Sequence, residues 1–421
     1  MRLPGEPQTQ FFLIGRALLY IPPARSGGGI THSMTRRHAE IAGAGFAGLT
    51  AACAFAQRGW SVRVHERGEE LRTAGAGIYI YENGLRVLEA VGAYDAAIKG
   101  APFAHTREVR DGDDRLISVH RWQSSRAFSI VRQNVINALA AVAARAGVEI
   151  VTSSAAAAAT ADGELTLADG RRLKADLVVG ADGSNSRLRD SLGLLAKRKY
   201  LVDGCTRLLM DKTAAERAVT DGAKTIEYWS GTRRVLYTPC SETDIYIALT
   251  MLDTDEVAKA VPVRKDEWKR AFPRLETLLD RIGDQGRYDR FDLIKLKRWS
   301  AGKVAMIGDA AHALPPNIGQ GGGCAMMNAL SLAVYLQRED DVATALETWE
   351  RNERPMTEHT QRISYFLGLP TTWPPTLRAF ALGLPTTWPP VLRAAALGLA
   401  GRSKWLTGLR TRTALHRPTG T

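Results

Sequence analysis

Apolar and polar positions along the chain fall into strand-like and helix-like rhythms. Ala39-Glu40-Ile41-Ala42 reads as a short strand and runs into Gly43-Ala44-Gly45-Phe46-Ala47-Gly48. Apolar residues then recur at helical spacing (Leu49, Ala52, Phe55, Ala56) until Gly59, in the helix-ending position. Trp60 to Val64 alternates as a second strand and closes on His65-Glu66, completing a β-α-β unit. Further along, the pattern predicts helices over 84–99 and 134–146. It also predicts a hairpin in which 164–167 and 172–174 flank Asp169-Gly170. An apolar run from Ala175 reaches Ala181 and ends at Asp182-Gly183. Segments 225–229, 235–239 and 245–251 have strand character and lead into a helix over 265–279. From Gly302 the opening rhythm returns: a short strand over 303–307, a glycine-rich loop, and a long helix through Met326 to Leu336.

Composition narrows the class. The 421 residues suffice for one large α/β unit or two domains, and 45% apolar with 24% charged is the balance of a soluble globular chain. The 56 Lys+Arg against 44 Asp+Glu give +12, but the basic residues are scattered singly, so no nucleic-acid partner is expected. Only the tail, with Arg402, Lys404, Arg410, Arg412 and Arg417, is locally one-signed. Cys53, Cys205, Cys240 and Cys324 form no CxxC pair, which points away from zinc and disulfides and towards a reducing, cytoplasmic setting. No run approaches the length of a membrane span, and no stable membrane association is expected. Phe11 to Ile21 is interrupted by Arg16 and lacks a cleavage site, so residues 1–33 read as a disordered extension or as translation from an early start. Residues 368–382 recur as 383–397 with two differences, too few copies for a solenoid and best read as a local duplication. A surface-binding role for Trp373 and Trp388 is the rival reading.

Three motifs carry the chemistry. In the first, Gly43 permits the turn out of the strand, Gly45 lets the backbone approach a pyrophosphate, and Gly48 lets the helix pack close. Phe46 and Ala47 open the helix whose N-terminus faces the phosphates, and Glu66, at the next strand end, can accept ribose hydroxyls. The second motif, Ala175 to Arg189, sets Asp182 and Gly183 at a strand end. The third sets Gly308 and Asp309 at another, followed by Pro315-Pro316-Asn317-Ile318-Gly319-Gln320-Gly321-Gly322-Gly323 opening a helix. That last loop can receive negative charge or carbonyl oxygens, as a reduced flavin requires. Taken singly, Asp182 or Asp309 could be a helix cap.

In this order the motifs resemble the single-component (class A) flavoprotein aromatic hydroxylases, the p-hydroxybenzoate and salicylate hydroxylase group, over residues 37 to about 360. Residues 75–88, 234–240 and 321–332 are similar to the pyridine-ring oxygenases of that group, as is Asn328, where many relatives carry an acid. The resemblance implies an α/β fold: a Rossmann-type (GR2) FAD-binding domain, an inserted β-rich substrate domain and a C-terminal helical segment. The boundaries expected are 34–200 for the first part of the FAD-binding domain, with a piece of the substrate domain near 79–130. The substrate domain then takes 201–295, the second part of the FAD-binding domain 296–360, and the helical segment with its repeat and basic tail 361–421. It implies FAD as cofactor, NADH or NADPH as transient reductant and O2 as co-substrate. A flavin C4a-hydroperoxide then oxygenates an aromatic or N-heteroaromatic, carboxylated small molecule.

Carried over by residue, the resemblance assigns Gly43, Gly45, Phe46, Ala47, Gly48, Glu66 and Arg67 to the ADP half of FAD. Gly77 joins the first flavin-facing loop, and Arg132 reaches the phosphate or ribityl. Asp182 and Gly183 serve the second motif and Gly308 and Asp309 the ribityl chain. Gly319, Gln320, Gly321, Gly322 and Gly323 then line the isoalloxazine. Pro316 lies against the ring and Arg207 contacts the substrate, while Tyr79, Tyr81 and Tyr228 are candidate pocket phenols. The bland readings are a surface ion pair for Arg207, an exposed helix-start residue for Arg132, core packing for the tyrosines, and packing or loop hydrogen bonding for His312. No metal site and no catalytic nucleophile is expected. Alternatives are a flavin epoxidase or reductase acting on a polyketide or isoprenoid, and a non-catalytic flavoprotein binding module.

Overall fold

Each motif ends a strand of one parallel sheet. The computed structural model describes residues 36–71, 76–104, 106–121, 126–219, 224–369, 408–409 and 411–421. Among these, a six-stranded sheet has the order Ser300–Ala301, Val304–Met306, Leu177–Gly180, His38–Ala42, Ser61–His65, Glu149–Val151. All neighbours pair in parallel except Ser300–Ala301, which runs antiparallel. Parallel strands covered on both faces read as continuous apolar runs, and Leu177–Gly180 is buried throughout. From His38–Ala42 the chain goes to one side through Ser61–His65, while Leu177–Gly180 lies on the other. That reversal opens a crevice at the C-terminal strand ends.

Helices Phe46–Ala56, Arg132–Arg145 and Gly321–Arg338 share the large core with this sheet. Ten of the eleven residues of Phe46–Ala56 are buried, so its apolar character on every side is required by its central place. The second large sheet has seven strands, in the order Arg287–Leu296, Leu195–Asp211, Asp244–Leu252, Arg233–Pro239, Lys224–Ser230, Thr106–Asp111, Leu116–Arg121. Side chains alternate across it. Ile245, Ile247 and Leu249 pack with Trp268 and Phe272 on one face. Tyr246 and Ala248 pack with Cys205, Phe291 and Ala76 on the other. A hairpin-like pair, Gly77–Tyr81 with Ala127–Val131, leads into helices on both sides.

Three expectations change. The helix over 84–99 is two helices, Glu82–Ala90 and Tyr94–Ile98, because Gly92 between them adopts φ +76°. The helix over 265–279 stops at Ala271 and resumes as Glu276–Asp280, since Pro273 lacks the N–H a continuous helix needs. Leu195–Asp211 is one strand of 17 residues running through position 200, where a boundary was expected. Residues 1–33, the repeat from residue 370 onward, Trp373, Trp388, Arg402, Lys404 and Arg410 lie outside the described residues. No described helix is long and apolar enough to cross a membrane.

Candidate active site

The glycine loop is shaped as its sequence demands. Gly43 has φ +99°, and a Cβ there would sit 2.4 Å from the Ala181 carbonyl oxygen. A Cβ on Gly48 would lie 1.9 Å from the Gly43 carbonyl oxygen, so loop and helix touch backbone to backbone. Gly45 is different: a Cβ there would meet nothing within 4 Å, and no side chain caps the helix it precedes. An open, uncapped helix N-terminus is an anion site. The Glu66 carboxylate braces the loop, accepting from the Ala44 N–H at 3.0 Å and the Gly68 N–H at 2.9 Å. Arg67 beside it is exposed.

The other two strand ends meet this loop. The Asp182 Cα is 3.1 Å from where a Gly43 Cβ would be. Its Oδ2 accepts from the Arg187 N–H at 2.9 Å, while its Oδ1 is buried without a partner among the described residues. Burial raises its carboxyl's pKa. Gly183 follows at φ +84°. Gly308, at φ +61°, packs on Ala47, where a Cβ would lie 2.8 Å from the alanine's own. Arg189, fully buried, donates to the Ser184 carbonyl at 2.8 Å and the Ala310 carbonyl at 3.4 Å, tying the second motif to the third. Asp309 touches solvent, yet the surrounding protein raises its pKa while Arg132 pulls it down, the situation of a side chain on a cavity wall.

Arg132 begins the helix Arg132–Arg145, with its guanidinium 5.2 Å above the Phe46 ring. Its Nε is buried and unpartnered, and burial followed by the nearby Arg207 lowers its pKa. A cation at the positive end of a helix, with no carboxylate paired to it among the described residues, awaits an anion.

The third loop turns at Gly319 (φ +64°), against the Tyr81 ring, after the short helix Pro316–Ile318 that exposes Pro316. Gly321 is open to solvent space, and a Cβ on Gly322 would meet Ile78 at 2.9 Å. The buried Gln320 side chain accepts from the Asn83 amide at 2.9 Å, and that amide also reaches the Met327 sulfur at 3.1 Å. A Cβ on Gly323 would lie 3.0 Å from the same Asn83 nitrogen. Asn83 was not singled out from the sequence, because an Asn early in an amphipathic helix carries no mark of what it braces.

The seven-stranded sheet packs on the strand Gly77–Tyr81. A Cβ on Gly77 would press on Tyr246 at 2.7 Å. Arg207, on the same face as Tyr246, bonds Asp289 at 2.6 Å and lies 5.9 Å from the Phe291 ring. The structure does not bring all the tyrosines to this cavity. The Tyr79 hydroxyl is held by the Thr225 and Thr238 hydroxyls, and only its ring, stacked on Tyr81 at 6.4 Å, faces the turn. Tyr228 is a correction: strand alternation turns it to the opposite face, where it packs with Leu208 and Val235. Arg107, Glu227 and Arg234 were missed, since charged residues alternating in a strand read as solvent-facing.

The arrangement suits one extended dinucleotide: a loop closed backbone to backbone at Gly43 and Gly48, an open helix N-terminus at Gly45, a half-buried arginine with an orphaned Nε, and two acids at neighbouring strand tips. The family model described as FAD binding domain matches residues 37–363. The chain belongs to this family. Among relatives, the 2-heptyl-3-hydroxy-4(1H)-quinolone synthase of Mycobacteroides abscessus is 42% identical over 351 residues, covering 82% of this chain and 93% of that one. Among solved structures, the tetrameric form of 2-methyl-3-hydroxypyridine-5-carboxylic acid oxygenase superposes with a TM-score of 0.78 at 36% identity, covering 91% of this chain and 97% of that one. The Klebsiella pneumoniae HpxO structure with FAD and uric acid, at TM-score 0.73 and 22% identity over 90% and 97% of the chains, shares the fold. This chain is an FAD-dependent monooxygenase of the aromatic-hydroxylase type, which sets aside a non-catalytic binding module.

Proposed function

We propose that the enzyme hydroxylates an N-heteroaromatic ring, taking electrons from NADH or NADPH and the oxygen atom from O2. The observation that carries this reading is that the strand Gly77–Tyr81 lies between the two parts: Gly77 packs against Tyr246 of the seven-stranded sheet, and Tyr81 lies against the Gly319 turn. Support for a ring nitrogen comes from two relatives, one a quinolone synthase and one a pyridine-ring oxygenase.

On this reading Gly43, Gly45 and Gly48, with the helix they precede, receive the pyrophosphate, and Glu66 receives the adenosine ribose with Arg67 beside the adenine. Arg132 neutralises phosphate charge, Asp309 holds the ribityl hydroxyls, and the N–H groups of Gly319 to Gly323 face the ring system. Bound FAD supplies the electron acceptance and oxygen activation that no side chain here can. The protein's part is to orient the substrate ring beside Pro316 and Tyr81 and to keep water out. The parallel sheet then holds cofactor and the seven-stranded sheet shapes the substrate pocket. A cytoplasmic setting belongs to the same reading, with four buried free cysteines.

The test is direct. FAD-loaded protein should oxidise NADH or NADPH faster when a quinolone or pyridine ring is added, with a product heavier by one oxygen atom. Oxidation that no ring in a broad panel accelerates would overturn the proposal. Arg132→Met should weaken FAD binding roughly 10- to 100-fold, the loss of a charge-assisted hydrogen bond, in a titration of apoprotein.

A further inference from the structure

We propose that Asn83 is a positioning residue for the flavin: it holds the Gln320 side chain inward, so that the N–H groups of Gly321, Gly322 and Gly323 stay open to the ring. This rests on the reading above that the ring faces this turn.

The helix Gly321–Arg338 starts at the turn, with Gln320 just before it and no side-chain cap. Its hydrogen-bond ladder begins with the Cys324 N–H on the Gln320 carbonyl at 2.9 Å. The three N–H groups ahead of that bond have no acceptor within the helix and fall to a side chain, to water or to a ligand. Gln320 is the nearest side chain and is long enough to fold back over them. It does not: it is buried, and its Oε1 accepts from Asn83 Nδ2 at 2.9 Å.

Asn83 is itself fixed from several directions. It is buried, and the same Nδ2 reaches the Met327 sulfur at 3.1 Å. A Cβ on Gly323 would lie 3.0 Å from Asn83 Nδ2, 3.0 Å from Gln320 Oε1 and 3.3 Å from Asn83 Oδ1, so the two amides fill the space under the first turn. Its main-chain N–H, in the first turn of Glu82–Ala90, donates to the Ala414 carbonyl at 3.1 Å. Its Oδ1 is buried without a partner among the described residues, so the donor side of the amide sets its orientation.

Negative charge that reduction places on a bound ring is stabilised by the open end of this 18-residue helix only while that end stays uncovered. Without the Asn83 donor, Gln320 Oε1 is left unpaired in a buried place. The nearest free donors are the N–H groups of the turn, and a glutamine that caps them competes with the ring.

The experiment measures the midpoint potential of the FAD-loaded full chain against a reference dye, with no substrate present. Asn83→Leu keeps nearly the same size and removes the donor; Asn83→Ala serves where the leucine does not fold. The ratio of reduced to oxidised flavin at a fixed potential should fall about tenfold, equivalent to about 30 mV for a two-electron couple. The shift should vanish in a Gln320→Ala background, where the side chain that Asn83 restrains is gone. An unchanged potential, even with melting temperature lowered, or an equal shift in the Gln320→Ala background, would overturn the inference. Gly321→Ala separates it from the placement on which it rests, because that Cβ enters open space at the turn. If Gly321→Ala moves the potential or FAD affinity and the Asn83 variants do not move the potential, the placement stands and the inference falls. If none of them does, the ring does not face this turn and both fall.

Discussion

His312 and Asn328 explain one another. The Asn328 amide nitrogen lies 2.9 Å from His312 Nε2 and 3.0 Å from the Thr357 hydroxyl, with all three residues buried. An amide that donates to Nε2 selects the tautomer with its proton on Nδ1, and that nitrogen is buried without a partner among the described residues. The ring also packs 5.2 Å from Trp299. Burial therefore pushes His312 down to about 4. Its folded pKa lies below the value of about 6.5 in an unfolded chain. Stability from this group is then complete above about pH 6.5 and falls as pH drops towards 4, by up to roughly 3 kcal/mol. Asn328→Asp places a carboxylate against the imidazole and should raise its pKa, so the difference in urea stability between pH 7 and pH 5 should shrink. An unchanged difference would contradict this account. From the sequence, His312 reads as a packing or loop hydrogen-bonding residue; it packs on Trp299 and bonds Asn328 from another helix. The choice of asparagine over an acid at 328 is illegible there, because its partners lie 16 and 29 residues away.

The helix Phe46–Ala56 tests the element scale, because two glycines at its start have opposite constraints. Gly48 must lack a Cβ for the fold to close, since the Gly43 carbonyl occupies that space. Gly45 has open space before it, so its constraint comes from whatever lies there. Gly48→Ala should destabilise even the apoprotein, by about 1–3 kcal/mol as for other overpacked sites. Gly45→Ala should leave apoprotein melting nearly unchanged and lower FAD affinity instead. Calorimetry of apoprotein together with FAD titration separates the two, and equal melting losses for both variants would refute the distinction. Spacing alone made this loop legible as a nucleotide cradle, because strand, turn and helix are local. It did not reveal that Gln320 is braced by Asn83 from another helix, a contact between residues 237 positions apart.

At the scale of the whole molecule, the last residues return to the helices Glu82–Ala90 and Gly321–Arg338. The Ala414 carbonyl accepts from the Asn83 N–H at 3.1 Å, Thr413 bonds Thr360 at 2.7 Å, and Gly420 lies against Val334 and Leu330. The Thr419 hydroxyl donates to Glu353 at 2.7 Å, and burial raises the pKa of that carboxyl. Removing residues 411–421 should lower stability by about 1–3 kcal/mol, through an unsatisfied Glu353 and an uncovered face of the helix Gly321–Arg338. Chemical denaturation of the truncated chain measures this. A truncated protein as stable as the full chain would mean that the segment is merely laid on the surface.

The linear chain by itself determined the β-α-β unit, the strand-end acids and the flavoprotein class, because each is encoded within a few consecutive residues. The helix break at Gly92 depends on a positive φ that a periodic pattern conceals. Only the tertiary structure decided which face of the seven-stranded sheet each side chain meets, and so excluded Tyr228 from the cavity. It also decided which charges are free. Arg132 and Arg207 are alike in sequence, and folding supplies Asp289 to one and no carboxylate partner, among the described residues, to the other. Charge pairing is a property of distance, and distance across a sheet is set by register, which one strand read alone does not contain.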